Sequence, residues 1–123
     1  MPFVHTERVR FRDVDAMGHV NNAVYSTYLE QARIAYLQPL GAPVGGMILA
    51  RLEIDFRAPI AVDEEVRIEV RPVRVGTKSF ELAYTMRVAD SVVAEASTVL
   101  VAYDYARATP VEVPNAWREV LAA

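Results

Sequence analysis

The spacing of apolar residues divides the chain into one long helix and five extended segments. Val9 and Phe11 alternate with Arg8, Arg10 and Arg12, which predicts a first strand ending near Asp13. From Tyr25 the period changes. Tyr25, Tyr28, Leu29, Ala32 and Tyr36 recur at the three- and four-residue intervals of a helix stripe. Asn21 or Asn22 is placed to cap that helix, and Pro39 with Gly41 ends it. Glu30 and Arg33 have the spacing to pair on its opposite face. Alternation then returns, with Ile48, Ala50, Leu52, Ile54 and Phe56 on one face of a strand that breaks at Pro59. Val66, Ile68 and Val70 repeat the pattern until Pro72 shifts its phase, which predicts a bulge or a sheet edge. The turn "VGTKS" leads into Phe80, Leu82, Tyr84, Met86 and Val88 as the second arm of a hairpin. A last run extends from Val92 to Tyr105, and "PNAWREVLA" reads as a short helix opened by its proline.

The order is therefore strand, helix, then four antiparallel strands. A lone helix with a wide apolar stripe needs a sheet curled around it, which makes the fold an α+β two-layer domain. Such a sheet leaves an edge strand unpaired, so association into a homo-oligomer is expected. The 123 residues are one domain's worth, residues 1–123. A net charge of −3 gives no general attraction to nucleic acid or to an anionic membrane surface. Without cysteine there is no disulfide, thiolate metal site or cysteine nucleophile. Met1 leads into a polar stretch and no apolar run approaches a membrane span, so the cytoplasm is the expected location. Lys78 is the only lysine.

Candidate chemistry concentrates in "DVDAMGHVNN", residues 13–22, at the junction of the first strand and the helix. Much of it has an ordinary explanation. One of the asparagines caps the helix, Gly18 supplies backbone freedom, and Asp13 can accept hydrogen bonds within a turn. Asp15 admits two readings: a second turn aspartate, or a carboxylate set just ahead of the free N–H groups of a helix start. His19 is either a loop residue bonded to backbone or part of a site.

The stretch "RFRDVDAMGHVNNAVYSTYLEQARIAYL" resembles the hotdog-fold acyl-CoA thioesterases, in the branch named after 4-hydroxybenzoyl-CoA thioesterase. The resemblance continues through "IDFRAP", "VGTKSF" and "VAYDYARATPVEVP", and so covers nearly the whole chain. It implies a curved antiparallel sheet around one long helix, dimers sharing a continuous sheet, and dimers paired into a homotetramer. It also implies hydrolysis of a fatty or aromatic acyl-CoA without a cofactor or metal. The second aspartate of the D-x-D matches the family's catalytic carboxylate, which is Asp15 here, and the backbone N–H near Asn22 polarises the thioester. His19 falls in the same motif as a supporting residue. Some relatives carry histidine where this chain has Asn22, and others use a glutamate on the facing subunit's helix, for which Glu30 is the nearest counterpart. The resemblance places coenzyme A phosphates against Thr77, Lys78 and Ser79, with Arg107 a further candidate; lysine and hydroxyl groups suit that task. The relatives are more basic there than this chain, which has Gly76 and Thr77.

Two other functions fit the same fold. A dehydratase of hydroxyacyl thioesters would use His19 with Glu30, and a non-catalytic acyl-CoA-binding module would be joined to a DNA-binding domain. A metal site built from Asp13, Asp15 and His19 has too few ligands.

Overall fold

The computed structural model describes residues 3–40 and 46–122. Five strands form one antiparallel sheet in the order β1-β3-β4-β5-β2, namely β1 (Phe3–Arg8), β2 (Met47–Phe56), β3 (Glu65–Val75), β4 (Ser79–Val88) and β5 (Ser91–Asp104). A two-residue β6 (Thr109–Pro110) adds to the end of β5. Helix α1 (Asn22–Leu37) packs on the sheet over β1 and β3, and α2 (Asn115–Leu121) closes the chain.

The helix starts where the sequence requires. Asn21 is extended (φ −62°, ψ 137°), and its Oδ1 accepts the Ala23 N–H at 2.9 Å. Tyr25, Tyr28, Leu29 and Ala32 of the expected stripe are buried, while Tyr36 is half-buried against Phe3. The helix passes through Leu37 into a 3-10 turn over Gln38–Leu40, which holds Pro39; Gly41 lies outside the described residues. Arg33 departs from expectation. It does approach Glu30, at 3.9 Å, but it sits on the buried side of α1 with 8% of its surface exposed. Beneath the helix, Ile68, Leu82, Met86 and Leu100 are sealed from solvent, each contributing about 1.5–3 kcal/mol of burial.

Two strands depart from the sequence pattern. β1 occupies Phe3–Arg8 rather than the Val9–Phe11 region, and Phe11 stands 84% exposed on a 3-10 turn, Phe11–Asp13. The half-buried face of β1 is Phe3, His5 and Glu7, where the two polar side chains satisfy each other at 2.5 Å. A strand whose inner face is polar shows no apolar alternation. In β2 the register jumps between Leu49 and Arg51, so Ala50 is bulged. Opposite partners share a face. Met47 and Leu49 therefore join Leu52, Ile54 and Phe56 on the inner side, in place of Ile48 and Ala50, facing Ala102, Leu100, Thr98, Ala96 and Ala94. The bulge expected at Pro72 is present. Pairing with β1 stops at Val70, so the missing N–H of Pro72 costs no ladder bond on that side.

The terminal helix is fastened to the β3–β4 hairpin by Arg118. Its guanidinium donates to the carbonyls of Gly76 (2.8 Å), Thr77 (2.9 Å) and Val113 (3.2 Å). Trp117 meets Phe80 edge-on.

Candidate active site

Residues 13–22 divide into a structural half and an open half. Asp13 belongs to the first. It is 6% exposed, and its Oδ2 accepts from the Tyr28 hydroxyl at 2.6 Å, the Arg10 backbone N–H at 3.0 Å and the Arg10 Nε at 3.3 Å. Burial alone would raise its carboxyl. The Tyr28 and Arg10 contacts outweigh that and hold it below the ordinary carboxylate range. Burial and the adjacent Asp13 push the Tyr28 phenol far up in turn.

From Val14 the chain makes a tight loop closed by a bridge between Val14 and Val20. The Asp15 N–H donates to the His19 carbonyl at 2.8 Å, and the Gly18 N–H donates to the Asp15 carbonyl at 3.0 Å. Gly18 turns the loop at φ +79°, where a side chain would be strained although nothing lies within 4 Å of its position. The loop is tied to the segment after β2, since the Val20 N–H donates to the Ile60 carbonyl and His19 bridges Ala61.

The Asp15 carboxylate is anchored by one oxygen. Its Oδ1 accepts the N–H of Met17 at 2.9 Å and, more weakly, that of His19 at 3.4 Å, while its Oδ2 meets no partner among the described residues. Asp15, His19 and Asn22 line one open cleft of about 320 Å³, walled by Tyr25, Phe56 and Pro59. At the rim of this cleft the helix begins. Asn21 accepts the N–H groups of Ala23 and Val24, but that of Asn22 finds no acceptor among the described residues. Two residues lining one cleft thus carry, among the described residues, an unengaged carboxylate oxygen and an unengaged N–H at the positive end of a helix. Among the described residues, no group of three His, Asp or Glu side chains could hold a metal ion.

The profile of the thioesterase-like superfamily matches residues 9–121. The chain belongs to that superfamily. A 1,4-dihydroxy-2-naphthoyl-CoA hydrolase of Nostoc punctiforme is 30% identical, over 94% of this chain and 83% of its own. A Thermus thermophilus thioesterase, whose crystal structure holds coenzyme A and Zn, is 36% identical with a TM-score of 0.88, covering 96% of this chain and 90% of that one. A 1,4-dihydroxy-2-naphthoyl-CoA thioesterase from Synechocystis is only 20% identical but superimposes with a TM-score of 0.88, over 99% of this chain and 96% of its own. The sheet curled around α1 is accordingly the hotdog architecture, and the protein is a thioester hydrolase by family.

In this thioesterase the other candidate residues lie elsewhere. Thr77 and Lys78 are exposed in the turn between β3 and β4, and Ser79 opens β4. The Asp15 cleft adjoins Phe56 at the end of β2, whereas the hairpin adjoins Ala102, the partner of Met47 at the start of β2. The length of β3 separates the two regions: from Glu65 to Val75, roughly 33 Å at 3.3 Å per residue. Arg107 is exposed beside Asp104 at 3.8 Å. Glu30 lines a different cavity from His19, so one chain does not assemble the His19–Glu30 pair of a dehydratase.

Apart from Tyr25, which the helix stripe already contains, sequence reasoning passed over the cleft's wall. Tyr25 packs edge-on against Phe56 with ring centroids 4.8 Å apart, and its hydroxyl reaches the Ala58 carbonyl at 3.4 Å. Arg57 is held by Glu95 at 2.8 Å. The available signal was the stretch "IDFRAP", which places Phe56 and Arg57 where the strand ends.

Proposed function

We propose that residues 1–123 act as one acyl-CoA thioesterase domain in which Asp15 is the catalytic carboxylate. The observation that carries this reading is the free Oδ2 of Asp15 beside the unengaged N–H of Asn22 in one cleft. The thioester carbonyl is set against the Asn22 N–H, which receives the negative charge as the carbonyl becomes tetrahedral. Asp15 either removes a proton from the attacking water or attacks the carbonyl itself. In the second case water must then hydrolyse the mixed anhydride. In both, the C–S bond breaks, and coenzyme A leaves as the thiol with the free acid as the other product. His19 supports the loop and the bound thioester through its backbone pairing with Asp15. The acyl-CoA names of the relatives agree with this substrate class, and the Thermus thermophilus protein was crystallised with coenzyme A itself.

The phosphate contacts at Thr77, Lys78 and Ser79 come from a second copy of the chain. Among the described residues edge strand β2 pairs along one side only, and pairing two such edges antiparallel about a two-fold axis sets the Met47 end of one against the Phe56 end of the other. That operation carries the second copy's hairpin towards the first copy's Asp15 cleft. A homodimer is thus the minimal active unit, two of which form the expected tetramer. No helix among the described residues is long and apolar enough to cross a membrane, and the cytoplasm is the proposed location.

The test is thiol release from a panel of acyl-CoAs of varied length and aromaticity. Release of free coenzyme A with the acid as coproduct supports the reading. Hydration of an enoyl-CoA without thiol release would favour a dehydratase, and binding without turnover an acyl-CoA-binding module.

A further inference from the structure

Under the C-terminal half of α1 lies a second cavity, of about 160 Å³, enclosed by Ile34 and Leu37 of the helix and by Met47 and Leu100 of the sheet. Its polar wall is Arg33, with Glu30 and Gln38 beside it. A buried guanidinium is costly unless partners engage its five donors. Arg33 is 8% exposed, and its one ion pair among the described residues is the 3.9 Å approach to Glu30, whose own side chain is 55% exposed. On the inner side stands the Tyr84 hydroxyl, joined to Thr98 at 2.7 Å and close enough to Arg33 that the guanidinium opposes the rise of the phenol caused by burial. No fully buried polar side-chain atom of the described residues lacks a partner, and Arg33 lines the cavity, so a donor that it leaves unengaged is open to solvent or to that space. A cavity of about 150 Å³ admits benzene, so this one suits a single ring or a short chain of similar volume.

Arg33 lies about 17 Å along the helix from Asn22, beyond the reach of a short acyl group held at the same chain's Asp15. The antiparallel β2 pairing changes that. Met47, which lines this cavity, then lies beside the other copy's Phe56, which lines the Asp15 cleft. Resting on the thioesterase reading above, we infer that this cavity receives the acyl group whose thioester is bound at the other copy's Asp15. Arg33 selects acyl groups whose far end carries a hydrogen-bond-accepting oxygen, a hydroxyl or a carboxylate, over plain hydrocarbons. A hydroxyl can accept from Arg33 and donate to Glu30, filling the gap between them. A carboxylate can take two donors from Arg33 but meets the charge of Glu30.

The experiment compares kcat/KM for hexanoyl-CoA, ω-hydroxyhexanoyl-CoA and adipoyl-CoA. Wild type should prefer the oxygen-tipped substrates by roughly tenfold, the scale of a hydrogen bond to a charged group. Arg33→Met should bring the ratio close to one, and Glu30→Gln should raise adipoyl-CoA relative to ω-hydroxyhexanoyl-CoA. Hydrolysis of all three without preference, or a preference that survives Arg33→Met, overturns the role of Arg33 while leaving the thioesterase reading intact. If Arg33→Met does not fold, the exposed Glu30→Gln decides, and an unchanged ratio overturns the assignment. Failure to hydrolyse any acyl-CoA overturns the thioesterase reading and the acyl pocket with it.

Discussion

Replacing Tyr28 by Phe deletes one oxygen atom from a largely buried site. Tyr28 is fully buried, and its hydroxyl donates to the Asp13 carboxylate at 2.6 Å. Removing it leaves Asp13, 6% exposed, with Arg10 alone. A hydrogen bond to a charged group contributes about 1.5–3 kcal/mol, and the lost packing is negligible because the ring remains. At about 2.1 cal/mol/K per residue, 123 residues give an unfolding entropy of roughly 0.26 kcal/mol/K, so a loss of ~2 kcal/mol lowers Tm by about 8 °C. The sign of the pH dependence follows from Asp13. Its folded-state carboxyl is depressed, so the stability it contributes is present above the unfolded value near 3.9 and is lost as pH falls through the folded value. Tyr28→Phe brings that folded value back up, so the difference between variant and wild type is full at pH ~7 and shrinks below pH ~4. The assay is thermal unfolding of both proteins at equal concentration at neutral and acid pH, alongside thiol release. Tyr28 lines neither the cleft nor the second cavity, so kcat should stay close to wild type. An unchanged Tm at neutral pH, or a loss that is just as large in acid, would refute the structural role given to Asp13.

Three further outcomes are expected. His19→Ala should weaken turnover without abolishing it; a folded variant as inactive as one lacking Asp15 would move the main base to His19. Lys78→Ala should raise KM for acyl-CoA with little change in kcat and leave a short thioester without a nucleotide unaffected, and equal losses on both would remove the phosphate contact. Gly18→Ala should cost about 1–2 kcal/mol by thermal unfolding, because φ is +79° there while space for the methyl is open; a neutral result would show that the loop adopts another turn.

What the sequence disclosed and what it concealed have separate physical causes. The start of α1 was legible because capping is local: Asn21 and the apolar positions after it need no knowledge of the rest of the fold. The same holds for Pro72, whose missing N–H confines it to a bulge or to a stretch with no strand paired on that side. β1 was concealed because its inner positions, His5 and Glu7, pair with each other rather than with a core. The bulge at Ala50 left no mark, since alanine fits either side of a strand and the neighbouring Ile48 and Leu49 are both apolar. Arg33 reads as a surface ion-pair partner by spacing and is buried by the width of the helix stripe. Asp15, His19 and Asn22 stand within eight residues of one another, so a local motif gathered them. The distance between Asp15 and Lys78 depends on the strand order of the whole sheet, which no single stretch of residues encodes.

The catalytic role proposed for Asp15 is tested most directly by Asp15→Asn. The amide keeps the shape of the side chain and an oxygen able to accept the N–H groups of Met17 and His19, but it is neither a base nor an anionic nucleophile. Purified variant and wild type are compared for thiol release from an acyl-CoA, with oligomeric state checked by size-exclusion chromatography. The expected result is a folded oligomer that still binds acyl-CoA, with kcat reduced roughly a hundredfold or more. Turnover near the wild-type rate in that folded protein would remove Asp15 from the mechanism.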